Sequence, residues 1–412
     1  MQPAAPAFDL SFVRAQFPAF AQPSLQGWAF FENAGGSYPA AATVRRLTDF
    51  YTRMKVQPYA PYPASEAAGR AMDEACERLA DMLGVGADEV HVGPSTSQNA
   101  HVLARAFREI WAEGDEIVVT NQDHEANSGP WRRLEATGIV VREWRVDPDT
   151  GHLDPASLAP LLNDRTRLVA FPHASNIVAE INPVARICAM VRAAGAVSAV
   201  DGVSYAPHGP PNVGALGADV YFFSAYKTFG PHQGVMFVRR DLADRLPNQS
   251  WWFNADQIRK KLVPAGPDHA QVAALGGIVD YLSDVHTRHF ASGGAPDVVA
   301  ARVHDLFRAQ EARLLAPLLD YLRGRNDVRI LGPVDPARRA PTVAVVCARP
   351  GEAVARDLAA HRIMAGGGDF YARRLIEAMG VDPGHGALRL SFLHYTAPDE
   401  IDRLITALDA VL

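Results

Sequence analysis

Two kinds of segment alternate along the chain from about residue 67. Apolar residues at helical spacing predict amphipathic helices over 67–83, 99–111, 183–194 and 268–286. Between them, short runs rich in β-branched and aromatic residues predict buried strands over 89–92, 116–120, 139–144, 167–171, 196–200, 220–224 and 234–238. Seven strands interleaved with helices are typical of an α/β fold, a mostly parallel, doubly wound sheet with helices on both faces.

The pattern changes after about residue 290. A long amphipathic helix is predicted over 299–322. Strand-like runs follow it over 328–331, 342–347 and 387–392, and a closing helix is predicted over 398–412. The segment S-G-G-A-P (292–296) suits a hinge or loop between the two regions. We therefore expect three parts: an N-terminal segment (1–29) that packs with the small domain, a large α/β domain (30–290) and a smaller C-terminal α+β domain (291–412).

Composition and charge narrow the class of protein. A chain of 412 residues with 48% hydrophobic residues is too long for one compact core, so two domains are expected. The formal net charge is −6, and no run of Lys and Arg forms a basic stripe. We therefore expect neither a nucleic acid nor an anionic membrane surface as a partner.

The cysteines and the apolar runs of the sequence indicate where in the cell the protein is found. The three cysteines, Cys76, Cys188 and Cys347, are far apart and form no C-x-x-C pair, so neither a disulfide framework nor a metal site is expected. The first 20 residues lack the basic and apolar regions of a signal peptide, and no run of about 18 apolar residues occurs. These features predict a cytoplasmic protein that does not span a membrane.

Two charged residues follow neighbouring predicted strands. The strand 196–200 ends in Asp201, and the strand 220–224 runs into Lys227. Alone, such an Asp usually caps a turn, and such a Lys is usually a solvated loop residue. Ligands of doubly wound sheets bind at the carboxyl ends of strands, however, and this pair suits a pyridine ring held between the two side chains. The carboxylate would stabilise the protonated ring nitrogen, while the amine would form a Schiff base and move a proton at the substrate's α-carbon.

The segments S-A-V-D-G (198–202) and F-S-A-Y-K-T-F-G-P-H-Q-G (223–234) resemble the class V aminotransferase family of pyridoxal-phosphate (PLP) enzymes. The cysteine desulfurase/selenocysteine lyase branch is the most similar part of that family. The resemblance runs from about Phe30 to the C-terminus. It implies the fold type I architecture, PLP bound covalently by Lys227, an α-amino acid substrate and a homodimer with active sites near the interface.

The resemblance also implies how the cofactor phosphate is held. After the predicted strand 89–92, Thr96 and Ser97 open a helix, and a helix N-terminus with free N–H groups is an anion site. Taken alone, this turn could equally be an ordinary Ser/Thr helix cap. Ser224 and Tyr226, beside the lysine, match further positions of the family that contact the phosphate.

Other positions match family residues that contact the ring or the substrate. His124 is implied to stack on the pyridine ring and to take part in proton transfer, because imidazole titrates near neutrality. Asn176 is implied to hydrogen-bond the ring's phenolic oxygen. Arg389 is implied to bind the substrate α-carboxylate through its guanidinium fork, the alternative being a surface arginine on an edge strand. Asn33 and Ala34 belong to a segment that the family places near the substrate.

The sequence departs from the family in three places. A cysteine desulfurase needs a nucleophilic Cys in the segment that corresponds to 363–371, and here that segment has none, with Asp369 near the expected position. Ser204, a candidate cofactor contact, stands where the branch usually has Gln. The residues 264–267 replace a segment in which a Thr commonly reaches the partner's phosphate. The run Gly366–Gly368 suggests a mobile loop that closes over the site.

Three functions stay open on the sequence. The first is a C–S lyase that eliminates a sulfur or selenium leaving group, for which no protein thiol is needed. The second is an aminotransferase or epimerase of an unidentified amino acid, for which the same residues suffice. The third is a non-catalytic PLP-binding relative, against which the joint presence of Asp201, His124, Asn176, Lys227 and Arg389 argues.

Overall fold

The computed structural model describes residues 6–412. Its helices are α1 (Leu10–Ala15), α2 (Ala41–Arg53), α3 (Pro63–Leu83), α4 (Thr96–Arg108), α5 (Glu125–Arg132), α6 (Val184–Ala193), α7 (Val213–Leu216), α8 (Arg240–Arg245), α9 (Ile258–Lys261), α10 (His269–Ala274), α11 (Gly276–His289), α12 (Pro296–Arg323), α13 (Gly351–Ala360), α14 (Arg373–Ala378) and α15 (Pro398–Val411). Its strands are β1 (Ala29–Phe30), β2 (Val90–Gly93), β3 (Glu116–Thr120), β4 (Val140–Trp144), β5 (Thr166–Pro172), β6 (Val197–Asp201), β7 (Val220–Ser224), β8 (Gly234–Val238), β9 (Arg329–Leu331), β10 (Thr342–Val346), β11 (Ile363–Met364), β12 (Gly366–Gly368) and β13 (Ala387–Ser391).

Seven of these strands form one sheet in the order β2-β8-β7-β6-β5-β3-β4. The strands β7, β6, β5, β3 and β4 pair in parallel, and β8 is antiparallel to both of its neighbours. The prediction of a seven-stranded, mostly parallel sheet is confirmed. The order reverses direction between β3 and β5, so the carboxyl ends of the central strands open toward a common crevice.

Both faces of this sheet are buried. On β3, Ile117 and Val119 pack into one apolar cluster with α4 and α5, while Val118 points to the opposite cluster with α3 and α6. Successive side chains of a strand point to opposite faces, so near-continuous apolar strands are what a sheet covered by helices on both sides requires.

A smaller sheet of order β12-β13-β10-β9 forms the C-terminal α+β domain, and all three of its pairings are antiparallel. Apolar side chains of β10 and β13 pack against α12, α13 and α15 in a separate cluster. The chain near residue 30 reaches this domain, because β1 pairs in parallel with β11. Arg14 of the N-terminal segment forms an ion pair with Glu400 of α15 at 2.8 Å.

Two sequence predictions need correction. The single helix predicted over 268–286 is two helices, α10 and α11, separated at Leu275. Gly277, just after the break, packs so closely on Thr43 of α2 that a Cβ atom there would collide with its backbone. The run Gly366–Gly368 is not a mobile loop: it is the strand β12, whose backbone pairs with β13. None of the helices within residues 6–412 combines the length and the hydropathy that a bilayer crossing requires.

Candidate active site

The last residues of the central strands line one cavity of about 210 Å³. Asp201 ends β6, Ser224 ends the neighbouring β7, and Lys227 follows on the next turn. All nine residues that the sequence suggests as cofactor contacts line this cavity: Thr96, Ser97, His124, Asn176, Asp201, Ser204, Ser224, Tyr226 and Lys227. Their roles stay predictions, but the structure brings all of them together at the carboxyl edge of the sheet.

Asp201 is the last residue of β6, and hydrogen bonds with the backbone fix its position. Its Oδ1 accepts a hydrogen bond from the Val203 N–H at 2.8 Å, and its carbonyl accepts one from the His173 N–H at 2.7 Å. Burial raises the pKa of Asp201 to about 6, against the lowering effects of the Val203 hydrogen bond and of Lys227. A buried carboxylate of this kind gains most from a cationic ring nitrogen placed beside it.

Lys227 is buried, and burial together with the nearby Arg389 guanidinium lowers the pKa of its amine to about 8. Asp201 and Glu32 act in the opposite direction and moderate the shift. A lowered pKa gives an appreciable fraction of neutral amine near neutral pH, which is the form that attacks a carbonyl and accepts a proton.

The start of α4 faces the same cavity. The Ser95 hydroxyl caps the helix by accepting from the Gln98 N–H at 3.2 Å. The N–H groups of Thr96 and Ser97, like those of any first helical turn, have no partner within the helix. The Thr96 hydroxyl lies 2.8 Å from that of Ser224, which links the helix start to the end of β7. This arrangement of hydroxyls and free N–H groups suits a phosphate.

His124 caps α5, and its Nδ1 accepts a hydrogen bond from the Ala126 N–H at 3.0 Å. The remaining nitrogen, Nε2, therefore carries the proton of the neutral ring. Burial, followed by the charges of Lys227 and Arg389, lowers the pKa of His124 to about 3. At neutral pH His124 therefore offers a neutral ring face and one N–H donor, and its part in proton transfer stays a prediction.

Arg389 is a buried residue of β13, which lies between β12 and β10, so the alternative of a surface arginine on an edge strand is excluded. Its Nη2 pairs with Glu32 Oε1 at 2.5 Å, and its Nη1 donates to the carbonyl of Asn176 at 3.4 Å. Its guanidinium carbon lies 3.8 Å from the centre of the Phe370 ring. The Asn176 amide donates to the Phe370 carbonyl at 3.0 Å, while its Oδ1 is buried without a partner among residues 6–412.

The other two predicted substrate contacts, Asn33 and Ala34, directly follow Glu32, the ion-pair partner of Arg389. Asn33 donates to the carbonyls of Phe30 and Ser391, both at 3.2 Å, and accepts from the Tyr395 hydroxyl. The Ala34 N–H donates to the Ser391 hydroxyl at 2.8 Å. Both residues line a small cavity of about 10 Å³ that Lys227 also borders. Because its amide is fully used by the protein, Asn33 holds the N-terminal strand in place beside the site.

Several residues of the site have no signature in the sequence. Glu32 and Phe370 contact Arg389, and the ring of His232 stacks on that of Tyr226 at 4.6 Å between centroids. Tyr371 lies 5.6 Å from the His124 ring, and its carbonyl accepts from the Glu125 N–H. An alternation of apolar and polar residues cannot reveal these contacts. Those of Glu32, Phe370 and Tyr371 join segments that are distant along the chain, and the stacking of His232 on Tyr226 depends on how the loop after β7 turns.

The residues present fit PLP. A buried lysine amine, a buried carboxylate, a helix N-terminus with two hydroxyls and a neutral imidazole surround one cavity, and the amide oxygen of Asn176 has no partner in the described part of the chain. These are the groups that a covalently bound pyridine cofactor with a phosphate needs. In this arrangement Lys227 would supply the amine, Asp201 would contact the ring nitrogen and the start of α4 would contact the phosphate.

Comparison with known proteins agrees with this fit. A family model described as aminotransferase class-V matches residues 29–262. The aminotransferase-like protein FGM3 of Gibberella zeae is 32% identical, with 98% of this chain and 99% of that protein covered. A cysteine desulfurase of Pectobacterium atrosepticum is 28% identical, with 98% of both chains covered. The apo structure of a cysteine desulfurase from Thermococcus onnurineus NA1 has the same fold, with a TM-score of 0.86, 21% identity and 99% of both chains covered. The chain belongs to the class-V aminotransferase family and is a PLP-dependent protein of fold type I with cysteine desulfurase-like relatives.

Proposed function

We propose that the protein is a C–S lyase that eliminates a sulfur or selenium leaving group from the β-carbon of an α-amino acid. The observation that carries the proposal is the absence of a thiol from the cavity. Cys76 and Cys188 are buried on α3 and α6, and Cys347 lies just after β10; none of the three, all within the described residues, lines the cavity beside Lys227. A persulfide-forming desulfurase needs such a thiolate, whereas elimination needs only a base and an electron sink.

The roles of the chain's own residues follow from their positions. Arg389 would hold the substrate α-carboxylate, and the amine of Lys227 would take the proton from the α-carbon. PLP, when bound, supplies the electron sink that stabilises the charge left at the α-carbon. Asp201 keeps the ring nitrogen protonated. The Cβ–S bond then breaks with its electron pair on sulfur, which leaves as a thiol, and water releases the rest as a 2-oxo acid and ammonia.

Product analysis tests this proposal directly. The holoenzyme is incubated with cysteine, cystine or selenocysteine, and 2-oxo acid, ammonia, sulfide or selenide, and alanine are measured. Elimination predicts pyruvate, ammonia and the reduced chalcogen in equal amounts from cysteine or selenocysteine. Alanine formation would indicate a desulfurase instead. A 2-oxo acid formed only with an amino acceptor would indicate an aminotransferase, loss of α-proton label without product an epimerase, and no reaction across a broad amino acid panel a non-catalytic relative.

Substitution of Arg389 by alanine is expected to raise KM for a carboxylated substrate by roughly tenfold to a hundredfold, because charge-assisted hydrogen bonds contribute about 1.5–3 kcal/mol. Steady-state kinetics of the substrate and of its decarboxylated amine separate the effect: the KM of the amine should change little. Arg389→Ala leaves Glu32 unpaired, so the double variant with Glu32→Gln controls for that charge. An unchanged KM would show that the carboxylate is anchored elsewhere.

The lowered pKa of Lys227 predicts how fast the cofactor-free protein captures PLP at different pH. Only the neutral amine attacks the aldehyde, so the second-order rate should rise with pH and level off near 8. An ordinary lysine would continue to gain rate up to about pH 10.4. Stopped-flow absorbance between pH 6.5 and 9.5 measures this dependence. A rate that still rises tenfold per pH unit above 8.5 would contradict the predicted environment of the amine.

We also propose a homodimer with active sites near its interface. Three consecutive aromatic residues, Trp251, Trp252 and Phe253, are exposed, with Trp252 at 85%, beside a groove of about 660 Å³. A monomer rarely leaves such an apolar patch in water, so we assign it to contact with a second copy. Light scattering of the wild type should give twice the chain mass, and Trp252→Glu with Phe253→Glu should halve it without loss of secondary structure. A dimer that survives both changes would place the interface elsewhere.

The compartment and the domain limits are proposals of the same kind. Three free thiols that form no disulfide support a reducing, cytoplasmic location. The non-helical residues between α11 and α12 support a boundary near residue 290. The N-terminal limit is supported by β1, whose pairing with β11 ties the segment before residue 30 to the C-terminal domain.

A further inference from the structure

Glu32 and Arg389 form an ion pair that leaves one donor and one acceptor unused. Arg389 Nη2 and Glu32 Oε1 are 2.5 Å apart, and the two side chains are 4% and 27% exposed. The Nε–H of Arg389 and the Oε2 of Glu32 are each buried without a hydrogen-bond partner among the described residues. Buried polar atoms in folded proteins are normally satisfied, so this donor and acceptor mark a place that a ligand completes.

The carboxylate of Glu32 occupies a niche formed by two glycines. A Cβ atom on Gly366 would lie 2.6 Å from Glu32 Oε2, and one on Gly35 would lie 3.0 Å from Oε1. Gly366 is also the register partner of Arg389 across β12 and β13. Because neither glycine has a side chain, there is room for the Glu32 carboxylate between them, and it can lie against Arg389.

The pair lies close to the reacting groups. Arg389 contacts Asn176 of the main cavity, and the charges of Arg389 and Glu32 move the pKa of Lys227 in opposite directions. Ser391, on the same strand as Arg389, borders the small cavity next to Lys227. A substrate whose carboxylate reaches Arg389 therefore brings its side chain within reach of Glu32.

We infer that Glu32 determines which substrate side chains are accepted: those that are uncharged or donate a hydrogen bond, and not those that carry a second carboxylate. The inference rests on the proposed function insofar as Arg389 anchors the α-carboxylate. Arg389 and Glu32 together are neutral, so one substrate carboxylate brings the group to a single negative charge. A second carboxylate would add another negative charge facing the buried Oε2 of Glu32, where like charges are less screened than in bulk water and therefore repel. A hydroxyl, amide or ammonium group would instead donate to Oε2.

Binding of unreactive probes to the holoenzyme tests this inference without relying on turnover. Propionate, 3-hydroxypropionate and succinate carry no amine and cannot react with the cofactor, and their dissociation constants are measured by ligand-observed NMR titration. The wild type should bind 3-hydroxypropionate at least about tenfold more tightly than succinate. Glu32→Gln should bring the two within about threefold of each other, while Glu32→Asp should keep most of the preference because it retains the charge.

The outcomes separate this inference from the proposed function. Arg389→Ala should weaken all three probes, and if it weakens none, the carboxylate anchor of the proposed function fails together with the inference. Equal binding of succinate and 3-hydroxypropionate by the wild type overturns the role of Glu32. The same conclusion follows if Glu32→Gln changes all three probes by one common factor, since that is the effect of a merely structural residue. Failure of the elimination assay with the expected probe preference would leave Glu32 in place and change only the reaction.

Discussion

The variant Lys227→Ala is expected to lose the visible absorbance of the lysine-bound cofactor and to lose turnover by about 10²–10⁴-fold, the range over which a positioned acid/base contributes. Lys227 is the buried lysine that lines the cavity, and both roles proposed for it, the covalent bond to PLP and the proton transfer, would depend on the same amine. Absorbance spectra of the reconstituted variant and its kcat measure the two effects separately.

The small number of lysines makes this test sharp. The chain contains four of them, Lys55, Lys227, Lys260 and Lys261. Borohydride reduction followed by peptide mapping should place the pyridoxyl label on Lys227 in the wild type. Lys261→Ala is the matched control, because Lys261 is also buried but donates to the Asp244 carbonyl at 3.1 Å, outside the cavity. A reducible band that persists in Lys227→Ala would refute the assignment.

The variant Asp201→Asn is expected to retain PLP but to lose about 10²–10³-fold in kcat, the usual cost of removing one preorganised electrostatic partner. An amide cannot hold a proton on the ring nitrogen, so the cofactor would withdraw electrons less strongly. The kcat of the reconstituted variant, with its PLP content measured alongside, checks the expectation.

A neighbouring carboxyl provides the control for Asp201. Asp123 is also buried, and burial followed by the charge of Asp201 raises its pKa well above the usual value. It does not line the cavity that Asp201 and Lys227 share, so Asp123→Asn, which keeps the size of the side chain, should leave kcat within about threefold of the wild type. If both variants lost activity equally, general damage to the cavity would explain the loss better than a specific role of Asp201.

Most of the large sheet could be predicted because its signals are local. The strands 116–120, 220–224 and 234–238 match β3, β7 and β8 to the residue, since each is a short apolar run bounded by turn residues. The positions of Asp201 and Lys227 at one cavity follow from the rule that parallel strands present their carboxyl ends together. A local pattern and a topological rule therefore account for the base of the site.

Other parts of the site depend on contacts that no local pattern contains. Glu32 and Arg389 are 357 positions apart, and only the folded chain brings them together. The neutral state of His124 depends on burial by distant segments rather than on its sequence neighbours. The three glycines of β12 suggested flexibility, but strand pairing uses the backbone alone, and on Gly367 a side chain would collide with the backbone of Gly351 and Glu352.

The pairing of β1 with β11 has a consequence for how the chain acquires its activity during synthesis. Residues 29–30 leave the ribosome early and must wait for residues 363–364 before they can pair. The groups from Thr96 to Lys227 are all synthesised well before that point, whereas the Glu32–Arg389 contact can form only after residue 389 has been made. Contacts of such high sequence separation form slowly. We therefore expect PLP capture to precede the ability to bind substrate, so that a nascent chain holds its cofactor before it can turn over an amino acid.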